Sequence, residues 1–565
     1  MTRWESKNSQ GTASAIMIRG KRIPPPIVQI LKNRGYYTPR SIEKFFAPSL
    51  SDLHDPFLLQ DMDRAVARII DAIRKKEKIM IHGDYDADGI TGTALLTTNL
   101  RRFGLDVDCY IPHRLEEGYG LSINGIEKAV ADRRTLVITV DCGSSALTEI
   151  ALAHERNVDI IVCDHHVPRE DLPPALALIN PKLPGSNYPF KELAGVGVAF
   201  KLLSALYKKL DLPVAELHKD LDLVALGSVV DIVPLIDENR TLIKYGMNRM
   251  QRSNKKGIKA LLKETGLSGE INAHHLGFIV GPRINACGRM HDAQNALELF
   301  LTQDMSRALK IARSLSVDNE TRKEVQDETY RAAVSMIQAA ETAQNRVIVL
   351  AHTGWHEGVL GIVASRIASD YFRPVIIMTI RNDTVKGSAR SIPGFDITAA
   401  IGTCGEILKK YGGHAQAAGV ELHIDKLDRF KVCVNEYAQR FEGSLFEKCS
   451  FYDMQLDLPH LTSDVVHFLR FFEPTGIANP QPTFLGENLE VVGVPRVVGA
   501  NQNHLMISLR QHGRVFPAIA YDRADDILDI EVGKTRINCL YSVAEDSFLG
   551  KRKTTLKIKE MTRAN

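Results

Sequence analysis

The sequence predicts an α/β protein of several domains: a parallel-sheet catalytic domain, a long connecting helix, a smaller α/β domain and a C-terminal β-barrel of the OB type. Three observations carry this expectation. Between Lys78 and His166 short apolar runs alternate with segments whose apolar residues recur at helical spacing. From about Thr302 to Asn345 the chain holds neither Pro nor Gly, and its apolar residues stand three or four apart. Beyond about Ser450, β-branched and apolar runs such as "LEVVGVPRVVG" and "HLMISLRQHGRVFPAIAY" dominate.

Each element has its own justification. At 565 residues the chain is too long for one core, and several domains are expected. Residues 1–75 read as a mixed helical lead-in. In the catalytic domain, residues 76–300, the runs "KIMIH", "VDCYIP", "TLVITVDCG" and "VDIIVCDHH" read as buried strands of a parallel sheet, and "GTALLTTNLRRFG" and "INGIEKAVADRR" as the helices between them. Residues 301–345 form the connecting helix. In residues 346–445, "RVIVLAH", "PVIIMTI" and "TVKGSAR" read as strands, with "VLGIVASRIASDYF" and "ITAAIGTCGEILKKY" as helices. Residues 446–565 form the barrel.

Composition excludes several classes. The chain is 44% hydrophobic and 25% charged, with no apolar run suited to a bilayer and no secretion-type start, so it is expected to be cytoplasmic and without membrane attachment. A monomer is expected. Its eight cysteines stand singly, which argues against a disulfide framework and against structural zinc. A net charge of +3 says little about partners. Basic runs such as "NRMQRSNKKGIK" are more often solvated faces than nucleic-acid contacts.

The chemistry gathers at the strand ends. "HGDYDADG" crowds Asp84, Asp86 and Asp88 behind His82, Asp141 ends "LVITVD", Asp164, His165 and His166 end "DIIVCDHH", and Asp231 ends "ALGSVVD". In a parallel sheet all carboxyl ends lie along one edge, where ligands bind. Taken singly, Asp141 reads as a helix N-cap and "DADG" as a turn. Taken together, so many like charges call for positive charge among them, and carboxylates with imidazoles suit Mn²⁺ or Mg²⁺. The acids outnumber the needs of one ion, which points to two ions working on a phosphodiester.

In order and spacing, "HGDYDADG", "VDCG", "CDHH" and "GSVVDIVPL" resemble the four motifs of the DHH phosphoesterase family. "GPRINACGRM", "GWHEGVLGIVASR", "GSARS" and "GGHAQAAG" extend the likeness to that family's bacterial single-strand-specific 5′→3′ DNA exonucleases. The resemblance implies one ion on His82, Asp86 and Asp141 and another on Asp88, Asp141, His165 and Asp231. It puts Asp84 and Asp164 near the metals and turns His166 toward the substrate. It also implies action on single-stranded DNA in repair and recombination, beside a helicase and a single-strand-binding protein. Candidate strand contacts are Arg114, Arg283, Arg289, Ser388, Arg390 and His414. Ser388 and Arg390 share one face of a predicted strand and could clamp a phosphate. "GGHAQAAG" reads either as a helix-to-strand turn or as a phosphate cradle.

Overall fold

The computed structural model describes residues 3–7, 14–114, 116–339, 344–548 and 551–564. The chain opens with strand β1 (Arg3–Ser6), the hairpin β2 (Ile16–Ile18) and β3 (Lys21–Ile23), and helices α1 (Pro25–Asn33) and α2 (Pro39–Phe46). Thr38 starts α2 through a capping box with Ser41.

The catalytic region follows. Helix α3 (Met62–Lys75) leads into β4 (Lys78–Gly83), α4 (Ala87–Arg102), β5 (Asp106–Tyr110), α5 (Ile123–Ala131), β6 (Leu136–Val140), α6 (Leu147–Glu155), β7 (Asp159–Cys163) and β8 (Ala177–Ile179). All five strands are parallel, in the order β5-β4-β6-β7-β8. The four predicted strands are therefore present, and β8 extends the sheet. Every residue of β6, "LVITV", is buried. At about 1.5–3 kcal/mol for each large apolar side chain taken fully out of water, this central strand anchors the sheet. Helices α7 (Gly195–Lys209), α8 (Leu221–Val230), α9 (Asp237–Met250) and α10 (Lys256–Glu264) continue the domain. A π-helix (His275–Val280) then runs directly into α11 (Gly281–Met290), followed by α12 (Gln294–Leu301).

The connecting helix α13 spans Met305–Ala339, somewhat inside the predicted bounds. Ala308, Ala312 and Leu315 near its start join the catalytic core, while Ala333 and Ile337 near its end join the core of the next region. That region comprises β9 (Ile348–His352), α14 (Glu357–Tyr371), β10 (Val375–Arg381), β11 (Thr384–Arg390), α15 (Ile397–Gly402), β12 (Leu408–His414), β13 (Ala417–His423) and α16 (Leu427–Ala438). Its sheet order is β12-β13-β11-β10-β9.

Here the sequence expectation needs two corrections. The helix expected over "ITAAIGTCGEILKKY" stops at Gly402, and "LKKYGGH" is the edge strand β12, paired antiparallel with β13. "GGHAQAAG" therefore turns strand to strand, because sheet pairing overrides the modest helical preference of the lysines. Cys404 and Cys433 are joined in a disulfide, although the scattered cysteines gave no sign of one.

The last region comprises β14 (Cys449–Tyr452), β15 (Met454–Gln455), α17 (Ser463–Leu469), β16 (Phe484–Val498), β17 (His504–Gln511), β18 (Arg514–Ala520), β19 (Arg536–Phe548) and β20 (Lys551–Arg563). Pairing of β16 with β19 closes the sheet into an OB-type barrel. The lead-in packs on it: β1 pairs with β14, and Ile27, Ile30 and Phe45 share one core with Phe472, Phe484 and Tyr541. Arg240 of α9 latches this unit to the catalytic region. Its guanidinium donates to the carbonyl oxygens of Phe471 (2.6 Å), Phe472 (3.0 Å) and Phe45 (3.3 Å) and lies 4.0 Å from the Phe45 ring centre.

Candidate metal centre

The acidic edge forms because β4, β6 and β7 end side by side and each hands the chain to a polar turn. Asp86 caps α4, its Oδ1 accepting from the N–H groups of Asp88 (2.9 Å) and Gly89 (3.2 Å). Two residues on, the Asp88 carboxylate receives N–H groups from Gly195 (2.6 Å) and Val196 (2.8 Å) at the start of α7. A Cβ at Gly195 would stand 2.8 Å from the Asp141 Cα, so only glycine lets α7 approach this closely.

Asp141 is not a helix cap. It sits in the left-handed region at φ +63°, a conformation Asp tolerates better than most residues, and α6 begins only at Leu147. Its own N–H donates to the Cys163 carbonyl (2.9 Å). The turn thereby aims the Asp141 carboxylate into the edge.

Three groups of ligand-type atoms result, each drawn together within 4.8 Å: Asp84, Asp86 and Asp141; Asp88, His165 and Asp231; and Asp141, His165 and His166. His165 is the meeting point. Its Nε2 lies 3.0 Å from Asp141 Oδ1, 3.5 Å from Asp231 Oδ2 and 3.9 Å from Asp88 Oδ2. His165 Nε2, Asp141 Oδ1 and Asp84 Oδ1 are buried without a hydrogen-bond partner. Burial lowers the His165 pKa to about 3, so its imidazole is neutral and offers a lone pair. Burial, reinforced by neighbouring carboxylates, raises Asp88 to about 7 and pushes Asp84, Asp141 and Asp231 well above the ordinary range. Buried, unsatisfied oxygen and imidazole donors with mutual repulsion are what a hard divalent cation relieves. The donor set fits Mn²⁺ or Mg²⁺.

His82 stands outside these groups. Its Nε2 accepts from the Ser122 N–H at 3.4 Å, its ring stacks on Tyr110, and its Nδ1 is buried and unpartnered. Burial lowers its pKa to about 4.

Asp164 lies behind the cluster. It accepts from the N–H groups of Ser144 (2.9 Å), His165 (2.7 Å) and His166 (3.1 Å), and pairs with His166 Nδ1 at 2.8 Å. Burial alone would raise its pKa, but the His166 hydrogen bond and charge hold it well below the carboxylate range. Burial would likewise lower His166, yet Asp164, Asp86 and Asp88 outweigh it and raise the imidazole above its ordinary value. His166 is thus held in place by Asp164 and favours its protonated form.

Sequence patterning did not point to Tyr119. Its hydroxyl donates to the Asp141 carbonyl (2.9 Å) and lies 2.9 Å from His166 Nδ1, while its ring is exposed. Nothing in the loop "EEGYG" marks it.

Cations gather opposite the acids. Arg289 of α11 donates to the Gly358 carbonyl of α14 (3.1 Å), bridging the two α/β regions. Burial, with Arg114 and Arg322 nearby, lowers the Arg289 pKa to about 9, and burial with Arg114 also lowers Arg390. Arg390 donates to Ser388 Oγ at 3.0 Å, and glycine at 361 leaves room for both side chains. Arg114 lies over the Tyr85 ring, 4.8 Å from its centre. Arg322 of α13, which patterning hid among helix-surface charges, has a buried and unpartnered Nε. Like charges brought this close repel one another, and an anion among them would relieve that repulsion. Arg283 is instead engaged by Ser316 Oγ (3.0 Å) and the Ile279 carbonyl (2.5 Å). His414 is exposed at the β12–β13 turn.

A parallel sheet with this edge, a second α/β region bearing arginines and a closed barrel define a protein of the DHH class. Family models agree: the DHH family, N-terminal domain, matches residues 78–228, the DHHA1 domain residues 344–440 and the RecJ OB domain residues 452–560. The chain is 35% identical over 565 residues to the single-stranded-DNA-specific exonuclease RecJ of Bacillus subtilis, covering 99% of this chain and 70% of that protein. It is 34% identical to the RecJ exonuclease of Escherichia coli, covering 94% of each. It superposes on the crystal structure of RecJ in complex with Mn²⁺ from Thermus thermophilus with a TM-score of 0.83 at 28% identity, covering 100% of this chain and 80% of that one. The chain belongs to the RecJ family of single-stranded-DNA-specific exonucleases. Among the described residues no helix is long and apolar enough to cross a membrane.

Proposed function

We propose that this protein is a cytoplasmic, metal-dependent 5′→3′ exonuclease that hydrolyses phosphodiester bonds of single-stranded DNA, acting as a monomer in repair and recombination. The observation that carries the reading is the convergence of three carboxylates on the His165 imidazole, with buried donor atoms left unsatisfied. In this reading Asp88, His165 and Asp231 hold one divalent ion and Asp84, Asp86 and Asp141 the other, with Asp141 adjoining both. His82 lines the cluster, with its unpartnered Nδ1 available to join Asp86 and Asp141. When bound, the two ions supply Lewis acidity and neutralise charge on the reacting phosphate.

The chain's own residues do the rest. Asp164 orients His166, whose proton is available to the departing oxygen at the rim. The Tyr119 hydroxyl adds a second contact to that imidazole. Arg114, Arg289, Arg322 and Arg390, with Ser388, bind the terminal phosphate, so the enzyme works from an end. His414 and Arg283 are strand contacts farther out, and the barrel adds a sequence-tolerant grip. A helicase and a single-strand-binding protein are the expected companions, since the substrate is an unwound strand. Digestion of a strand labelled at each end in turn, with and without Mn²⁺, tests the reading. Loss of the 5′ label first, only with metal, is expected, and release from the 3′ end would contradict it.

Arg390→Ala lowers the preference for a 5′-phosphate over a 5′-hydroxyl end by roughly tenfold or more, since a charged hydrogen bond is worth about 1.5–3 kcal/mol. Competition between the two oligonucleotides measures it, and an unchanged ratio removes Arg390 from the clamp. In chelated protein, raised pKa values at Asp84, Asp88, Asp141 and Asp231 mean that the native state keeps protons the unfolded chain has already released. Stability therefore falls as pH rises from the ordinary carboxyl range, about 4, toward about 7. Divalent cation takes the place of those protons, so Mn²⁺ raises Tm more at pH 8 than at pH 5. Equal increments at both pH values would refute this.

A further inference from the structure

Beside the acidic edge an aromatic pair faces solvent. Phe278 is 74% exposed, and the His274 ring stacks on it at 4.9 Å with an interplanar angle of 23°. An isolated exposed Leu or Val needs no explanation, but a bare phenylalanine ring already paired with an imidazole is a flat, preformed stacking surface. It sits on the π-helix His275–Val280, a rare element that recurs at functional sites.

Its mounting ties it to the metal centre. A Cβ at Gly277 would lie 3.7 Å from Val229 Cγ1, and one at Gly281 would lie 3.0 Å from Val230 Cγ1. The π-helix therefore rests on the last turn of α8, which Asp231 terminates. Ile232, next in the chain, is 66% exposed and held at φ +64°, a conformation a β-branched residue adopts only under constraint. On its other side the π-helix continues into α11, whose Asn285 Oδ1 accepts from the Ala87 N–H (2.8 Å), between Asp86 and Asp88. The platform is thus tied by direct contacts to the segment ending at Asp231 and to the start of α4.

We infer that Phe278, backed by His274, stacks an unpaired nucleobase of the strand lying in the metal centre. The inference rests on the nuclease reading above and deepens it. Phe278 is mounted on the helix that packs against Val229 and Val230, immediately before the Asp231 ligand and the exposed Ile232, which puts the ring within reach of a strand leaving the site. Base stacking on an aromatic ring is tolerant of sequence. It also discriminates against duplex, whose bases are already stacked on both faces and offer no free surface to the ring. Phe278 is in this sense a specificity residue and not a catalytic one.

The test is equilibrium binding, without divalent cation, of 5′-phosphorylated single strands carrying 2-aminopurine at successive positions. Wild-type protein is expected to perturb the fluorescence at one position. Phe278→Ala should abolish that perturbation and weaken strand binding by roughly tenfold, and Phe278→Trp should restore both. Because the ring is mostly in solvent, neither variant should disturb folding. An unchanged fluorescence profile in Phe278→Ala would overturn the inference, as would an equal loss of affinity for duplex and single strand. Shortening of the same strands with Mn²⁺ is followed in parallel. Wild-type protein that stacks the base but never shortens the strand would overturn the nuclease reading and leave the platform standing.

Discussion

Asp141→Asn abolishes strand shortening, by on the order of 10³-fold or more, while leaving single-strand binding intact. The expectation follows from position. Asp141 belongs to two of the three ligand groups and is 3.0 Å from the His165 nitrogen on which the second converges. Asparagine keeps the size and tolerates φ +63° as well as aspartate does, so the turn survives. What changes is charge. In chelated protein at pH 8, removing one carboxylate from among Asp84, Asp86, Asp88 and Asp231 relieves repulsion, so the variant is at least as stable as wild type. On adding Mn²⁺, wild type gains stability and the variant gains little. Calorimetry and end-labelled digestion together check this. A variant that still cleaves at a tenth of the wild-type rate would exclude Asp141 from both ions.

His166→Ala is the second large effect, a fall of about 10²–10³-fold in kcat with KM for the strand little changed. Its informative partner is Asp164→Asn. Asp164 is a member of none of the candidate ligand groups; it holds His166 through a 2.8 Å contact and keeps its pKa raised. Amidation removes that support, so the His166 pKa falls, and the alkaline limb of the pH–rate profile moves to lower pH. A purely structural role for Asp164 would lower the rate without moving the limb. The pH profile of kcat distinguishes the two.

The catalytic sheet was legible because its strands are short apolar runs, each ended by an acid or imidazole. Period and punctuation therefore coincide at Asp84, Asp141 and Asp164. Asp231 was legible for the same reason at the end of α8. The acids and imidazoles of the metal centre were legible as strand-end residues, but not their local partners. Patterning could bring Asp84, Asp86 and His82 to one edge, but not the cap that Asp86 makes or the Ser122 N–H that His82 Nε2 accepts. Tyr119 and Arg322 carried no signal, since a loop tyrosine and a helix-surface arginine acquire roles only when distant segments meet. β12 was misread because "LKKY" favours a helix locally and becomes a strand only through pairing with β13. The union of lead-in and barrel lay equally beyond local reading, as β1 and β14 sit far apart in the chain.

The most direct test of the two-ion centre is anomalous diffraction from crystals of the full chain grown with Mn²⁺. Two manganese peaks are expected, one against Asp88, His165 and Asp231 and one against Asp84, Asp86 and Asp141. A single peak, or peaks remote from His165, would contradict the account.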